Sequence, residues 1–222
     1  MTSKTNSGNL ICILLFFLSI TTFGQVRLPR LISDGMVLQR GPAVEIWGWA
    51  AHNEKISIHF IDSVYNTTAD DSGEWKVVLA GLKAGGPYAM EIKASNLITV
   101  NDIMIGDVWV CSGQSNMELP MKRVRPIYGN EIANSENVFI RQFYVPQTYN
   151  FIAPQKDLPD GSWKTASPET VPAFSAVAYF FAKALYEKYK VPIGLINSSL
   201  GGSPAESWMS EEALKAFPDL YH

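Results

Sequence analysis

The chain has 222 residues, enough for one large domain or two small ones, of which 47% are hydrophobic, 12% aromatic and 18% charged. That composition excludes a disordered chain. A net charge of −3 gives no electrostatic reason to expect nucleic acid or an anionic membrane surface as a partner.

At the N-terminus, Lys4 precedes an apolar run from Leu10 to Ile20, followed by Thr21-Thr22-Phe23-Gly24-Gln25. A basic start, a short hydrophobic core and small residues before a cleavable bond predict a secretory signal peptide over residues 1–24. Cleavage is expected near Gly24–Gln25, an uncleaved anchor being the other outcome. The run is too short to span a bilayer comfortably, and Cys12 sits inside it, away from the place a lipoprotein anchor needs. The expectation is a secreted or periplasmic bacterial protein with no membrane partner after cleavage. Cys111 is then the only cysteine, so no internal disulfide can form and stability must come from the core.

Residues 26–104 read as β structure. Alternating apolar and polar positions occur over 43–49, 55–61, 74–79 and 88–92, with Asp71-Ser72-Gly73 and Gly85-Gly86-Pro87 as turns between them. Short strands at this spacing predict a small antiparallel β-sandwich over residues 25–102. Within it, Trp47, Trp49 and Trp75 are read as core residues and not as sugar-stacking platforms. His52 and His59 are read as surface or packing residues.

The pattern changes after Asn101. Residues 103–110, Ile-Met-Ile-Gly-Asp-Val-Trp-Val, lack alternation, which suits a strand buried on both faces of a parallel sheet. A further strand is expected over 137–144. Residues 145–170, rich in Pro, Gln, Asp and Ser, are expected to form a long loop bordering a site. Pro172 opens a predicted helix through Lys190, with apolar residues at Phe174, Val177, Ala178, Phe181, Leu185 and Tyr189. Residues 191–197 then make a buried strand ending at Gly201-Gly202, and a second helix is expected to start between Pro204 and Ser210. Strand, helix, strand, helix is an α/β layout with a parallel sheet.

Sites in open parallel sheets lie beyond the carboxyl ends of the strands. Ser115, in the Gly113-Gln114-Ser115-Asn116 turn after one strand, and Gly201-Gly202 after another, would both lie there. A serine hydroxyl attacks only when a base takes its proton and backbone N–H groups receive the oxyanion. Ser115 is therefore the candidate nucleophile. The double glycine either aims an N–H at that oxyanion or simply makes a tight strand–helix turn. Cys111 is the competing nucleophile, but its apolar neighbours Trp109 and Val110 favour a buried thiol. The turn is not a Gly-x-Ser-x-Gly elbow, because Met117 stands where the second glycine belongs. No metal-ligand spacing and no phosphate-binding glycine loop is present, so neither metal nor cofactor is expected. Lys122-Arg123-Val124-Arg125 reads as a solvated loop more than as a carboxylate clamp.

The block Gly106-Asp107-Val108-Trp109-Val110-Cys111-Ser112-Gly113-Gln114-Ser115-Asn116-Met117-Glu118 closely resembles the nucleophile block of the sialate O-acetylesterase family, a carbohydrate-esterase branch of the SGNH hydrolases. Leu28-Pro29, residues 33–40 and Ile46-Trp47-Gly48-Trp49-Ala50 resemble that family's N-terminal β region. Residues 174–182 resemble its first long helix. Residues 193–196 through Gly201-Gly202-Ser203-Pro204-Ala205-Glu206-Ser207-Trp208 resemble its glycine block, so the likeness covers essentially all of 26–212.

The resemblance implies an α/β fold, with an SGNH-hydrolase-like three-layer parallel-sheet domain, incomplete, over 103–222 after the β-sandwich. It implies that Ser115 is the nucleophile and that its N–H shares the oxyanion hole with a glycine of the pair, Gly202 being preferred to Gly201. Family members draw a third donor from a later Gln-Gly-Glu-Ser-type segment and their Asp and His from a still later Asp-x-x-His block. No counterpart of the donor segment occurs here. Asp219-Leu220-Tyr221-His222 has the second spacing but follows the nucleophile by too few strands, and is read as a decoy. The expectation is thus a carbohydrate O-acetylesterase, acting on sialic acid or related acetylated sugars and truncated before its Asp and His. This chain alone would be nearly inactive. The alternative is a non-catalytic secreted carbohydrate-binding or surface protein with a vestigial esterase half.

Overall fold

The computed structural model describes residues 25–150 and 152–221, so the expected signal peptide and His222 lie outside the described residues. In chain order the strands are β1 (Val37–Gln39), β2 (Gly41–Trp49), β3 (Lys55–Phe60), β4 (Ser63–Thr68), β5 (Glu74–Leu82), β6 (Gly85–Lys93) and β7 (Leu97–Gly113). There follow α1 (Ser115–Glu118), α2 (Arg125–Ala133), β8 (Asn137–Tyr144), β9 (Trp163–Ala166), α3 (Ala176–Tyr189), β10 (Ile193–Ser199), α4 (Glu211–Leu214) and α5 (Pro218–Tyr221). The result is a mixed α/β fold around one large sheet with both parallel and antiparallel pairing.

That sheet has the order β4-β3-β6-β7-β10-β8-β9, with β1 also against β7. Its spine is β7, whose 17 residues reach about 55 Å at the usual rise of a strand. The first part of β7 pairs antiparallel with β6, from Lys93↔Leu97 to Gly85↔Ile105. Its last seven residues pair parallel with β10, from Asp107↔Ile193 to Gly113↔Ser199. Residues 102 and 103 therefore lie within a single strand. The strands β2 and β5 form a separate antiparallel ribbon, and its inward residues Ile46, Trp75, Val77 and Leu79 join one core with Ile58, Phe60, Met90 and Ile92. A second core lies between the parallel strands and α3, where Ile140, Ile193 and Leu195 meet Ala178, Tyr179 and Ala182.

The apolar run at 103–110 is a strand, but it is not buried on both faces throughout. Ile103, Met104 and Ile105 are buried, whereas Val110 is 70% exposed. Over 107–113 β7 has β10 on one side and no strand on the other among the described residues. The helix expected from Pro172 begins at Ala176. Pro172 sits in a 3-10 turn, Val171–Ala173, and Ser175 caps the helix by accepting a hydrogen bond from Ala178 N. The expected loop at 145–170 contains the short strand β9, which pairs antiparallel with β8. The second helix expected after Pro204 is a 3-10 turn, Ala205–Trp208, followed by α4. Of the tryptophans read as core, Trp75 is buried, Trp49 is half-buried and Trp47 is exposed.

The two halves are held together by Arg141, in the middle of β8 and 2% exposed. Its Nη2 donates to Asp102 Oδ1 at 2.8 Å, and Nη1 donates to Gly35 O at 2.9 Å and to the carbonyl of Asp102. Asp102 is the non-glycine residue of β7 with a positive φ, 55°, a conformation Asp tolerates better than most residues. One guanidinium thus neutralises Asp102 and satisfies carbonyls of the N-terminal segment and of the spine. Arg141→Met, which keeps the stem and removes these donors, is expected to lower the unfolding free energy by about 3 kcal/mol. Urea denaturation at neutral pH is the measurement, and a loss below about 1 kcal/mol would refute the role given to Arg141.

On the helical side, Glu131 of α2 accepts from Lys183 Nζ at 2.6 and 2.7 Å and from Tyr179 Oη at 2.8 Å, both on α3. Burial opposes the ionisation of Glu131, but the hydrogen bonds from Lys183 and Tyr179 more than offset it and hold its pKa below the usual value. A depressed carboxylate pKa contributes stability that is present above the unfolded-state value and lost as pH falls through the folded one. Thermal melts should therefore weaken as pH drops below about 4.3. Glu131→Gln should remove part of that dependence, so identical pH profiles for the two proteins would count against the assignment.

Candidate active site

The parallel register of β7 and β10 sets Gly113 beside Ser199, so the two turns that follow start side by side. Leu200 N donates to Gly113 O at 2.9 Å and links them. Gly113 has φ 135°, a value that favours glycine, and it bends the chain from strand to turn. Ser115 is then the first residue of α1, where its backbone N–H has no acceptor within the helix. Its side chain is exposed.

The segment after α1 is anchored to the start of α3. Met121 N donates to Phe174 O at 2.9 Å, and Ala176 N to Leu119 O at 2.8 Å. Ser115 thus lies on a turn tied at one end to the sheet and at the other to a long helix. It opens onto a groove of about 670 Å³, lined also by Glu118, Leu119, Tyr144, Phe174 and Asn197. Asn197 is buried, and its Oδ1 accepts from Ser199 Oγ at 2.6 Å. Burial, together with the charge of Glu118, pushes the Tyr144 phenol above its ordinary pKa, so it stays protonated at neutral pH.

Glu118 is the residue that sequence reasoning did not single out. Its Oε2 accepts from Gly201 N at 2.6 Å, while its Oε1 accepts from Gln147 Nε2 at 2.6 Å. The same Gln147 amide also donates to Ser199 O at 3.2 Å. A carboxylate of the Ser115 turn therefore fastens the glycine turn of the neighbouring strand. A side chain at Gly201 would collide with that carboxylate, and its Cβ would lie 3.8 Å from Ser115 Cα. Gly202 differs: φ is 78°, the space around a Cβ there is open, and its N–H has no hydrogen-bond partner among the described residues. Ser203 completes the turn, its hydroxyl donating to Leu200 O at 2.6 Å and accepting from Trp208 Nε1 at 2.9 Å. The sequence signal for Glu118 was only its place three residues after the serine.

Other candidates fall elsewhere. Cys111 is buried, and burial pushes its thiol pKa up, which suppresses the thiolate a nucleophile needs. His52, exposed beside Asp71, and His59, exposed beside Ser57, belong to the β half, and among the described residues no histidine lines the groove. Lys122 and Arg123, read from sequence as a solvated loop, are exposed on a 3-10 turn that lines the groove, together with Lys164. Arg125 is not among the lining residues. Among the described residues no group of three or more His, Cys, Asp or Glu could hold a metal.

No protein-family model matches the chain. It is 32% identical over 209 residues to the sialate O-acetylesterase of Rattus norvegicus, covering 86% of this chain and 38% of that protein. To the sialate O-acetylesterase of Homo sapiens it is 31% identical over 212 residues, covering 86% of this chain and 40% of that protein. Among solved structures it is similar to a carbohydrate acetylesterase from Xanthomonas citri, with a TM-score of 0.82 and 39% identity over 87% of this chain and 44% of that one. The chain spans about two fifths of the length of the curated relatives it matches. Sequence agreement along most of the chain, carried by a common fold, leads to one conclusion: the chain belongs to the sialate O-acetylesterase family.

Proposed function

We propose that this chain carries the nucleophile and the oxyanion-hole donors of a serine O-acetylesterase acting on sialic acid or related acetylated sugars. The reading is carried by the placement of Ser115 beside a glycine turn in which Gly201 is held by Glu118 and the Gly202 N–H has no partner among the described residues. An amide bound to a carboxylate cannot receive an oxyanion, so Gly202 N–H, with Ser115 N–H, is the donor pair. Gly201 serves by allowing the close approach of the two turns.

In the reaction Ser115 Oγ loses its proton to a base and attacks the acetyl carbonyl carbon. The carbonyl electrons move onto oxygen, where the two N–H groups stabilise the charge. Collapse breaks the bond to the sugar oxygen, which leaves as a hydroxyl by taking the proton back from the protonated base, and water then hydrolyses the acetyl-enzyme to release acetate. The lysines and arginine at the groove rim suit a substrate bearing a carboxylate, as sialic acid does, without requiring one. We read the parallel half with α3 on one face as part of a three-layer SGNH-type domain, and residues 1–24 as a signal peptide that directs the protein out of the cytoplasm.

The second reading, a non-catalytic carbohydrate-binding protein, is favoured by one observation: among the described residues no histidine lines the groove. Hydrolysis of p-nitrophenyl acetate separates the two. The unmodified chain is expected to exceed Ser115→Ala by a measurable margin, while remaining about 10³-fold or more below a site with a complete base. Equal rates for both proteins would leave only the binding reading. Glu118→Ala should lower stability by about 2 kcal/mol, because the Gly201 amide loses a charge-assisted partner. It should also reduce the Ser115-dependent rate by about tenfold or more through a loosened turn. Denaturant melts and the same ester assay check both effects.

A further inference from the structure

A second groove lies on the β half and shares no lining residue with the one that holds Ser115. Its volume is about 690 Å³, as large as the first, and three tryptophans line it. Trp47 alternates along β2 between the buried Ile46 and Gly48, so its ring stands on the outer face, 38% exposed. Trp49 is half-buried, with the Arg27 guanidinium 4.5 Å from its ring centroid. Trp75 is buried, yet its Nε1–H has no hydrogen-bond partner among the described residues. A buried donor without an acceptor is destabilising, and a wall of a groove is where an incoming oxygen could satisfy it.

The polar groups of the groove point to the kind of ligand. Glu45 accepts from Lys76 Nζ at 3.1 Å, and Glu74 from Lys156 Nζ at 2.7 Å. Each carboxylate keeps an oxygen free to accept a hydroxyl hydrogen, and each ammonium keeps donors for a hydroxyl oxygen. The hydroxyls of Thr67 and Thr68 add groups that both donate and accept. Lys76 and Lys156, with Arg27 on Trp49, balance Glu45, Asp70 and Glu74, so the groove has no net charge to attract an anionic ligand. A flat aromatic face fringed by paired donors and acceptors matches a pyranose, which offers an apolar C–H face and a ring of hydroxyls.

We propose that this groove is a carbohydrate-binding site for a neutral glycan chain, with one sugar ring stacked on Trp47 and Trp75 Nε1–H as a hydrogen-bond donor to it. The site stands on its own chemistry and does not depend on ester hydrolysis at Ser115. It would hold a polysaccharide against the protein independently of the acetyl group.

The test uses the full chain, with xylohexaose and cellohexaose as neutral probes and sialyllactose as the anionic one. Isothermal titration is expected to detect binding of at least one neutral probe. Trp47→Ala should weaken it about tenfold or more with an unchanged thermal melt, and Ser115→Ala should leave it unaltered. Proton–nitrogen spectra should show the Trp47 and Trp75 indole signals moving on titration. The proposal is overturned if neither neutral probe binds, if Trp47→Ala binds as the parent does, if sialyllactose binds tighter than both, or if only other indole signals move. Loss of esterase activity in Ser115→Ala with glycan binding retained would separate this site from the proposed catalytic one.

Discussion

The parallel pairing of β7 with β10 is the interaction on which the candidate site depends. β7 enters as one strand of an antiparallel sheet and leaves as a strand of a parallel one, with no interruption between. Seven residues of parallel register align Gly113 with Ser199. Because the turns after those residues begin at the same level, Ser115 and Gly201-Gly202 meet although some 85 positions separate them in the chain. A slip of one residue would turn alternate side chains to the opposite face and move the two turns apart. The fit of Arg141 under the spine, joining Asp102, Gly35 and β8, resists such a slip.

A second layer of control lies in Glu118. In the proposed reaction, a carboxylate three residues from Ser115 would oppose the negative charge that develops during attack on an ester. Here its two oxygens face the Gly201 amide and the Gln147 amide, and both hydrogen bonds are short. Its charge is directed into the scaffold. It joins the Ser115 turn to the glycine turn, while the neighbouring Gly202 N–H has no hydrogen-bond partner among the described residues. The two glycines of the pair therefore differ physically: Gly201 is packed against Glu118, and Gly202 has open space around it.

Much of the architecture was legible because periodicity reports burial. The strands within 43–49, 55–61 and 74–79 alternate, and they form the ribbon and antiparallel part of the sheet. The helix over 176–189 was legible, but its buried face runs through Ala178, Tyr179 and Ala182 while Val177, Phe181 and Tyr189 of the expected stripe are exposed. Its true start is set by the Ser175 cap, a local hydrogen bond that outweighs the proline three residues earlier. The strands β1, β4 and β9 were not legible. They are three, six and four residues long, and β4 lies largely exposed at the edge of the sheet, so its pattern carries little burial signal. Trp47 misled for a related reason. A large aromatic in an alternating strand reads as core, yet its neighbours Ile46 and Gly48 occupy the inward positions.

By itself the sequence determined which side chains could do chemistry, because a serine in a Gly-Gln-Ser-Asn turn after an apolar strand and a double glycine after another are local patterns. It also indicated strands of both antiparallel and parallel pairing, because strand periodicity depends on which faces meet the core, but not that one sheet would carry both. Only the tertiary structure decided which glycine amide is open, that Glu118 holds the other, and that three tryptophans from two strands share one groove. Those properties depend on distances between segments far apart in the chain. Such distances are set by register and packing, which no local pattern encodes.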